Sequence, residues 1–138
     1  MRNEIQFDDI KFWVDQHIIY CKFNGDFIKN YQKTDIEELF YNGISILSNR
    51  RYMPIIINLE QISDSNSIKI FKFLSKSVLI QSLILTKIFL VRSTGLKVLL
   101  ALYNITVDPA LSSKICNDFN VAIKHCNKDN IVFNTPLS

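Results

Sequence analysis

The stretch Ile55-Ile56-Ile57-Asn58-Leu59 decides the fold of this 138-residue chain. Its apolar residues follow one another with almost no alternation between apolar and polar positions. Strands with this pattern are covered on both faces, as they are in parallel sheets flanked by helices. We therefore expect residues 55–59 to form a central strand.

Two elements are predicted on the amino side of this strand. Residues 10–14 and 18–23 are rich in β-forming residues and are separated by the polar Asp15-Gln16-His17, which predicts a β-hairpin with His17 exposed in its turn. Thr34 and Glu37 have the spacing of a capping box, which predicts the start of a helix. This helix should face the core through apolar residues spaced three and four apart, namely Ile36, Leu39, Phe40, Gly43, Ile44 and Leu47.

On the carboxyl side, helices and strands are predicted to alternate. The hydroxyls within residues 63–67 are candidate caps for a second helix, in which Phe71, Leu74 and Val78 should form one apolar line. Residues 83–91 are apolar and rich in β-forming residues, which predicts a strand. An unbroken helix through this whole region is the competing interpretation.

The last third of the chain adds two helices and a short strand. A third helix is predicted from Ser93-Thr94-Gly95 through about residue 103, and a strand at residues 111–116. Asp118 is the predicted cap of a fourth helix, and the chain after Lys128 is expected to be a loosely held tail. The inward residues of that helix should be Phe119, Ala122, Ile123 and Cys126.

The predicted order is therefore β-β-α-β-α-β-α-β-α. Single strands that alternate with helices indicate an α/β protein with a mixed sheet. A length of 138 residues suits one domain, with a core at about residues 10–128 and a tail at 129–138.

Composition and motifs argue against several classes of function. The net charge is +3 without a dense basic run, which argues against a nucleic-acid partner. The sequence contains no glycine-rich phosphate loop, zinc-protease motif or nucleophile-elbow motif, which are the motifs that indicate several common classes of enzyme. We expect no catalytic residues, no cofactor and no enzymatic activity.

The cysteines and the apolar segments help to predict the cellular compartment of the protein. Cys21, Cys116 and Cys126 are odd in number and widely spaced, so we expect reduced, buried thiols that bind no metal. Residues 1–9 carry three carboxylates and lack the apolar segment of a secretory signal. The most apolar stretch, residues 78–107, is interrupted by charged residues, which argues against a transmembrane segment. The prediction is a cytoplasmic protein.

Hydroxyl side chains follow two of the predicted strands. Ser63, Ser65 and Ser67 stand at a helix start, where free backbone donors and the helix dipole favour phosphate. Capping is the simpler interpretation, and the alternative is that Ser65 or Ser67 accepts a phosphate from a kinase. Ser93 and Thr94, at the next strand-to-helix turn, are candidates to help hold an anion at the same edge of the sheet.

The helix at residues 96–103 is apolar on nearly every side. Three-and-four spacing places Leu96, Leu99, Leu100 and Tyr103 inward and leaves Val98, Ala101 and Leu102 outward. Three partners could cover the outer side of this helix: neighbouring helices of the same chain, a second subunit, or an apolar ligand or membrane surface. A homodimer is a common way to bury such a surface.

The order of elements and several segments resemble the STAS-like family, the fold of anti-sigma factor antagonists and of cytoplasmic domains of sulfate transporters. Residues 56–67, Ile56-Ile57-Asn58-Leu59-Glu60-Gln61-Ile62-Ser63-Asp64-Ser65-Asn66-Ser67, look like the family's strand, polar turn and hydroxyl-capped helix. Residues 88–96, Asp108-Pro109 and residues 114–118 look like the second half of small standalone bacterial proteins of this type. The antagonists have Asp-Ser before Gly-Leu at their phosphorylated turn, where this chain has Asp64-Ser65 before Asn66-Ser67.

The resemblance implies a non-enzymatic module that binds a regulatory protein partner. Together with the apolar helix at residues 96–103, it predicts a self-associating regulatory or protein-binding protein. The family is also related in topology to lipid-carrying CRAL-TRIO domains. The alternative function is therefore that of a carrier for a small apolar or lipid-like ligand.

Overall fold

The computed structural model describes residues 3–7, 9–25, 31–106 and 113–134. Within these residues, six strands form one sheet that five helices accompany. In chain order the elements are β1 (Glu4–Phe7), β2 (Ile10–Asp15), β3 (Ile18–Phe23), α1 (Lys33–Ser48), β4 (Ile55–Asn58), α2 (Asp64–Ser75), α3 (Val78–Gln81), β5 (Lys87–Leu90), α4 (Thr94–Asn104), β6 (Lys114–Cys116) and α5 (Phe119–Asn134).

The order of strands in the sheet follows their order in the chain, from β1 to β6. β1, β2 and β3 are antiparallel to one another, whereas β3, β4, β5 and β6 are parallel. Ile56 in β4 lies between Tyr20 of β3 and Ile88 of β5. The prediction of an α/β protein with a mixed sheet and a central strand at β4 is confirmed.

The two faces of the sheet are covered unequally. On one face, Ile55, Ile57 and Phe89 pack in a single core with buried residues of α1, α2, α3 and α4. On the other face, Ile56 and Ile88 pack with Ala122 and Cys126 of α5. Right-handed crossovers between successive parallel strands put their helices on the same face, so only the helix after β6 reaches the opposite one.

α1 begins earlier than predicted, although its buried stripe is confirmed. Its cap is Gln32, whose backbone N–H donates to the Asp35 carboxylate over 2.9 Å. The predicted capping box of Thr34 and Glu37 is wrong, and the Glu37 carboxylate instead accepts a 2.7 Å hydrogen bond from the Ser77 hydroxyl. The stripe is buried at Ile36, Phe40, Gly43, Ile44 and Leu47 and partly buried at Leu39. A methyl group on Gly43 would lie 3.0 Å from the Phe12 ring, so α1 and β2 pack closely at this glycine.

The competing interpretation of the apolar region around β5 as one unbroken helix is wrong, because β5 pairs with a strand on each side. β5 starts later than predicted, at Lys87. Val78 does not continue the apolar line of Phe71 and Leu74. It opens the separate helix α3, whose cap is Ser77, and it is 68% exposed.

Both ends of the described chain contain more structure than predicted. β1 was not predicted from the sequence, and residues 129–134 extend α5 where a loose tail was expected. Asp129 lies 3.4 Å from the Lys114 ammonium, and the Phe133 ring packs edge-on against Tyr52, which explains why the helix continues. β6 is confirmed over residues 114–116, whereas Asp108-Pro109 and residues 111–112 lie outside the described residues.

A buried lysine connects β5 with the end of α2. Lys87 is 0% exposed, and its ammonium donates to the carbonyl oxygens of Leu74 at 3.1 Å and Ser75 at 3.3 Å. These carbonyls lie in the last turn of α2, where a cation offsets the negative end of the helix dipole. Removal from water nevertheless lowers the pKa of Lys87 to about 8.

This lowered pKa predicts that the contribution of Lys87 to stability grows as the pH rises above about 8. Below that pH the lysine is charged in both states, and the folded state bears the cost of burying the charge. Between about 8 and the ordinary value of 10.5, the unfolded chain binds the additional proton, so this contribution to the free energy of unfolding should rise by up to about 3 kcal/mol. Lys87→Met removes the titrating group, so the wild-type protein should gain up to this amount relative to the variant. Urea unfolding of both proteins across this range measures the difference, and parallel pH profiles would contradict the prediction.

Candidate functional site

The carboxyl edge of β4 and β5 holds the hydroxyl groups singled out in the sequence. Ser63 caps α2, because its hydroxyl accepts the N–H of Asn66 at 3.3 Å. Ser65 is exposed in the first turn of that helix, and its hydroxyl oxygen lies 3.2 Å from that of Ser63. Ser65 is therefore accessible at the positive end of the helix dipole, as predicted.

Ser67 does not belong to this exposed group. It is 0% exposed, and its hydroxyl donates to the carbonyl oxygen of Leu59 at 3.4 Å. The expectation that Ser67 is accessible is wrong, because it lies one turn into α2 on the side that faces the core with Ile70 and Phe71. A kinase cannot reach a hydroxyl in this position without unfolding the helix start.

The second predicted cluster lies beside the first one. The Arg92 guanidinium donates to the Asp64 carboxylate over 2.9 Å, which joins the turn after β5 to the start of α2. The Ser93 hydroxyl caps α4 by accepting the N–H of Leu96 at 3.1 Å. The Thr94 hydroxyl accepts a 3.0 Å hydrogen bond from the Asn117 amide at the end of β6. These polar groups already satisfy one another, so the simplest role of Ser93 and Thr94 is to hold the turns together.

Substitution by aspartate should affect the stability of the protein differently at Ser65 and at Ser67. Ser65→Asp should retain the wild-type free energy of unfolding or exceed it by up to about 1 kcal/mol, because the carboxylate lies at the positive end of α2. Ser67→Asp should lose several kcal/mol, because an unpaired carboxylate would be buried. Urea unfolding followed by circular dichroism measures both effects. Equal stability of the two variants would contradict the assigned burial of Ser67.

α4 exposes more apolar surface than the sequence predicted. Only Leu96 and Leu100, one turn apart, are buried. Leu99 and Tyr103, expected to face inward, are 39% and 36% exposed, because α4 touches the core only along the Leu96–Leu100 line. We call the exposed apolar side of this helix and its cap the α4 surface, and it consists of Val98, Leu99, Ala101, Leu102, Tyr103 and Ile105. The predicted outward positions Val98, Ala101 and Leu102 are all exposed.

A cleft of about 510 Å³ opens at the opposite, amino edge of the parallel strands. The turn between β2 and β3, the segment between α1 and β4, and the end of α5 line it. Its polar and aromatic lining includes His17, Arg50, Arg51, Tyr52, Asn130 and Phe133, and we call it the cationic cleft. Sequence reasoning missed it because these residues come from three distant segments. The pair Arg50-Arg51 between a helix and a buried strand is the signal that the sequence offers.

The three cysteines are free and buried. Burial raises the pKa of Cys21 well above its ordinary value, raises that of Cys116, and raises that of Cys126 to about 12. Thiols with raised pKa values are protonated at neutral pH and are poor nucleophiles. In the part of the chain that the structure describes, no three His, Cys, Asp or Glu side chains are grouped in a way that would hold a metal ion.

No model of a known protein family matches the chain, and no curated protein matches it either. Across the described segments, every helix is too short or too polar to cross a bilayer.

Proposed function

We propose that this protein is a non-enzymatic, regulatory or protein-binding module that self-associates through the α4 surface. The observation that carries the proposal is the exposure of that surface: Val98 is 55% exposed, Leu102 60% and Ile105 79%. Contiguous apolar surface of this kind marks an interaction site more often than it stays bare in a monomer.

The spacing of the exposed residues favours a helix as the covering element. Val98, Leu102 and Ile105 are separated by four and three residues, which is the spacing of a helix–helix seam. Gly95 continues the seam toward the start of α4, and space remains open around the position that its side chain would occupy. A second copy of α4 packed along this seam would cover both surfaces at once, as a two-fold interface requires.

The charges on α4 are compatible with such a seam. Lys97 is the single charged residue between Thr94 and Asn104, and it is partly buried rather than part of the exposed seam. Lys72 of α2 lies over the Tyr103 ring, with its ammonium 4.4 Å from the ring centroid, at the border of the surface. An apolar centre with a charged rim is the usual anatomy of a protein interface.

Regulation in this proposal acts at the carboxyl edge. Ser65 is the exposed hydroxyl at the start of α2, and it is our candidate for a phosphate acceptor, in keeping with the resemblance to STAS-like proteins. Its neighbours Ser93 and Thr94 cap and connect the adjoining turns. We place the protein in a reducing compartment such as the cytoplasm, which suits three buried free thiols.

The alternative function, a carrier of an apolar or lipid-like ligand, has less support. The lining of the cationic cleft includes the guanidinium groups of Arg50 and Arg51, which an apolar ligand would cover without offering them a partner. The α4 surface is convex because it is the outer side of a helix, so it would not enclose a lipid chain.

Leu102→Glu should convert a dimer into a monomer without unfolding it. In the dimer the carboxylate would be buried without a partner, which costs several kcal/mol, whereas in the monomer it stays in water. Val78→Glu is the matched control, because Val78 is equally exposed but lies on α3, outside the α4 surface. Light scattering should give a halved mass for Leu102→Glu alone, and circular dichroism should show the same helix content in all three proteins.

Two results would contradict the proposal. A wild-type protein that is monomeric at high micromolar concentration would rule out self-association through α4. Native mass spectrometry that finds a bound lipid mass on the purified monomer would favour the carrier function instead.

A further inference from the structure

We propose that the cationic cleft binds a small organic phosphate that carries a planar ring, such as a nucleoside monophosphate. This inference is independent of the proposed self-association, because it concerns other residues at another edge of the sheet. It rests on the charge of the cleft, on the turns that shape it, and on the aromatic side chains beside its charges.

The charged side chains that line the cleft are positive. Arg50 and Arg51 contribute two guanidinium groups, and none of the described residues that line the cleft with them is acidic. Within residues 3–7, 9–25, 31–106 and 113–134, no carboxylate forms an ion pair with either arginine. Asp15 lines an adjoining hollow of about 310 Å³ that shares His17 and Arg51 with the cleft, and Asp129 lines another one that shares Phe133. Guanidinium groups present paired N–H donors that match phosphate oxygens, which makes an anion the fitting ligand.

Two backbone turns with positive φ angles hold these side chains at the cleft. Gln16 and His17 have φ values of 50° and 64°, and Asn49 and Arg50 have values of 50° and 66°. The first pair forms the two-residue turn of the β2–β3 hairpin, where positive φ at both residues is the favoured geometry, and Asn49 ends α1 as a left-handed cap. The two turns present His17 and Arg50 at the same cleft.

The end of α5 fixes the third wall of the cleft. The Asn130 amide donates to the carbonyl oxygen of His17 at 3.3 Å, which ties α5 to the hairpin turn. Asn134 donates to the carbonyl oxygen of Asn130 at 2.8 Å, one turn further along. The position of α5 relative to the two arginines is thus set by the protein itself, and the cleft is formed before any ligand enters.

An aromatic pair next to the arginines indicates that the ligand carries a planar ring in addition to its phosphate. The rings of Tyr52 and Phe133 lie 6.1 Å apart in an edge-on arrangement, and the two side chains are 54% and 52% exposed. Exposed aromatic faces beside a phosphate-binding group suit a planar ring that stacks on them. A volume of about 510 Å³ falls within the range of small-molecule sites.

Isothermal titration of the full chain with adenosine monophosphate, inorganic phosphate and adenosine tests the proposal. Adenosine monophosphate should bind most tightly, inorganic phosphate more weakly, and adenosine weakest of the three. Arg50→Ala and Arg51→Ala should each weaken binding of adenosine monophosphate at least about tenfold, because a charge-assisted hydrogen bond is lost. Tyr52→Ala should weaken binding of the nucleotide but leave that of inorganic phosphate unchanged.

Arg92→Ala is the matched control. The substitution removes the same charge at the opposite edge of the sheet, where the exposed Arg92 pairs with Asp64. Because this edge is far from the cleft, the affinity for the nucleotide should stay within about twofold of wild type. Arg51→Lys keeps the charge and replaces the paired donors by a single ammonium, so it should also bind more weakly if the geometry of the guanidinium matters. Circular dichroism establishes that each variant is folded.

Three results would overturn the inference. The first is the absence of binding heat for both phosphate probes at millimolar concentration. The second is an equal loss of affinity in Arg92→Ala and Arg51→Ala, which would show unspecific attraction to the net charge. The third is equal affinity for inorganic phosphate and the nucleotide with no effect of Tyr52→Ala, which would overturn the role of the aromatic pair.

Discussion

The burial of β4 on both faces is the constraint on which the rest of the molecule depends. Ile55 and Ile57 belong to one core and Ile56 to the other, so β4 needs a neighbouring strand on each side and helices above and below. Because the strands then follow one another in chain order, each right-handed crossover returns to the same face. α1, α2, α3 and α4 form that layer, and α5 is the one helix of the described residues that covers the other face.

This arrangement gives the two edges of the parallel strands different chemistry. At the carboxyl edge, serine caps and the pair of Arg92 with Asp64 satisfy the polar groups within the protein. At the amino edge, Arg50 and Arg51 line a cleft together with His17, and the described lining holds no acidic residue. Ligands of α/β proteins usually bind at the carboxyl edge, at a point where the strand order reverses. A sheet whose order never reverses has no such point, which fits the position of the cleft at the opposite edge.

The parts of the fold that the sequence predicted are those with local signals. The apolar run in β4, the hairpin of β2 and β3, and the Asp118 cap, which accepts the N–H of Asn120 at 2.8 Å, depend on residues near one another in the chain. The burial of Ser67, by contrast, follows from its place four residues before Phe71 on the apolar side of α2, which the polarity of the serine obscured in the sequence. β1 is short and lies at the edge, and it was missed for lack of a strong apolar pattern. The cationic cleft requires three segments and four positive φ angles on residues other than glycine, which no local pattern indicates.

The exposure of α4 follows from its place at the end of a layer. α4 packs beside α2 and above β6, and β6 is the last strand of the sheet. Leu96 and Leu100 therefore suffice to attach it, while Val98, Leu102 and Ile105 stay exposed. A second copy of α4 packed against these three residues would extend the helical layer. Since the cationic cleft lies at the amino edge, between the strand turns and α5, a dimer formed through α4 would leave the cleft open to solvent.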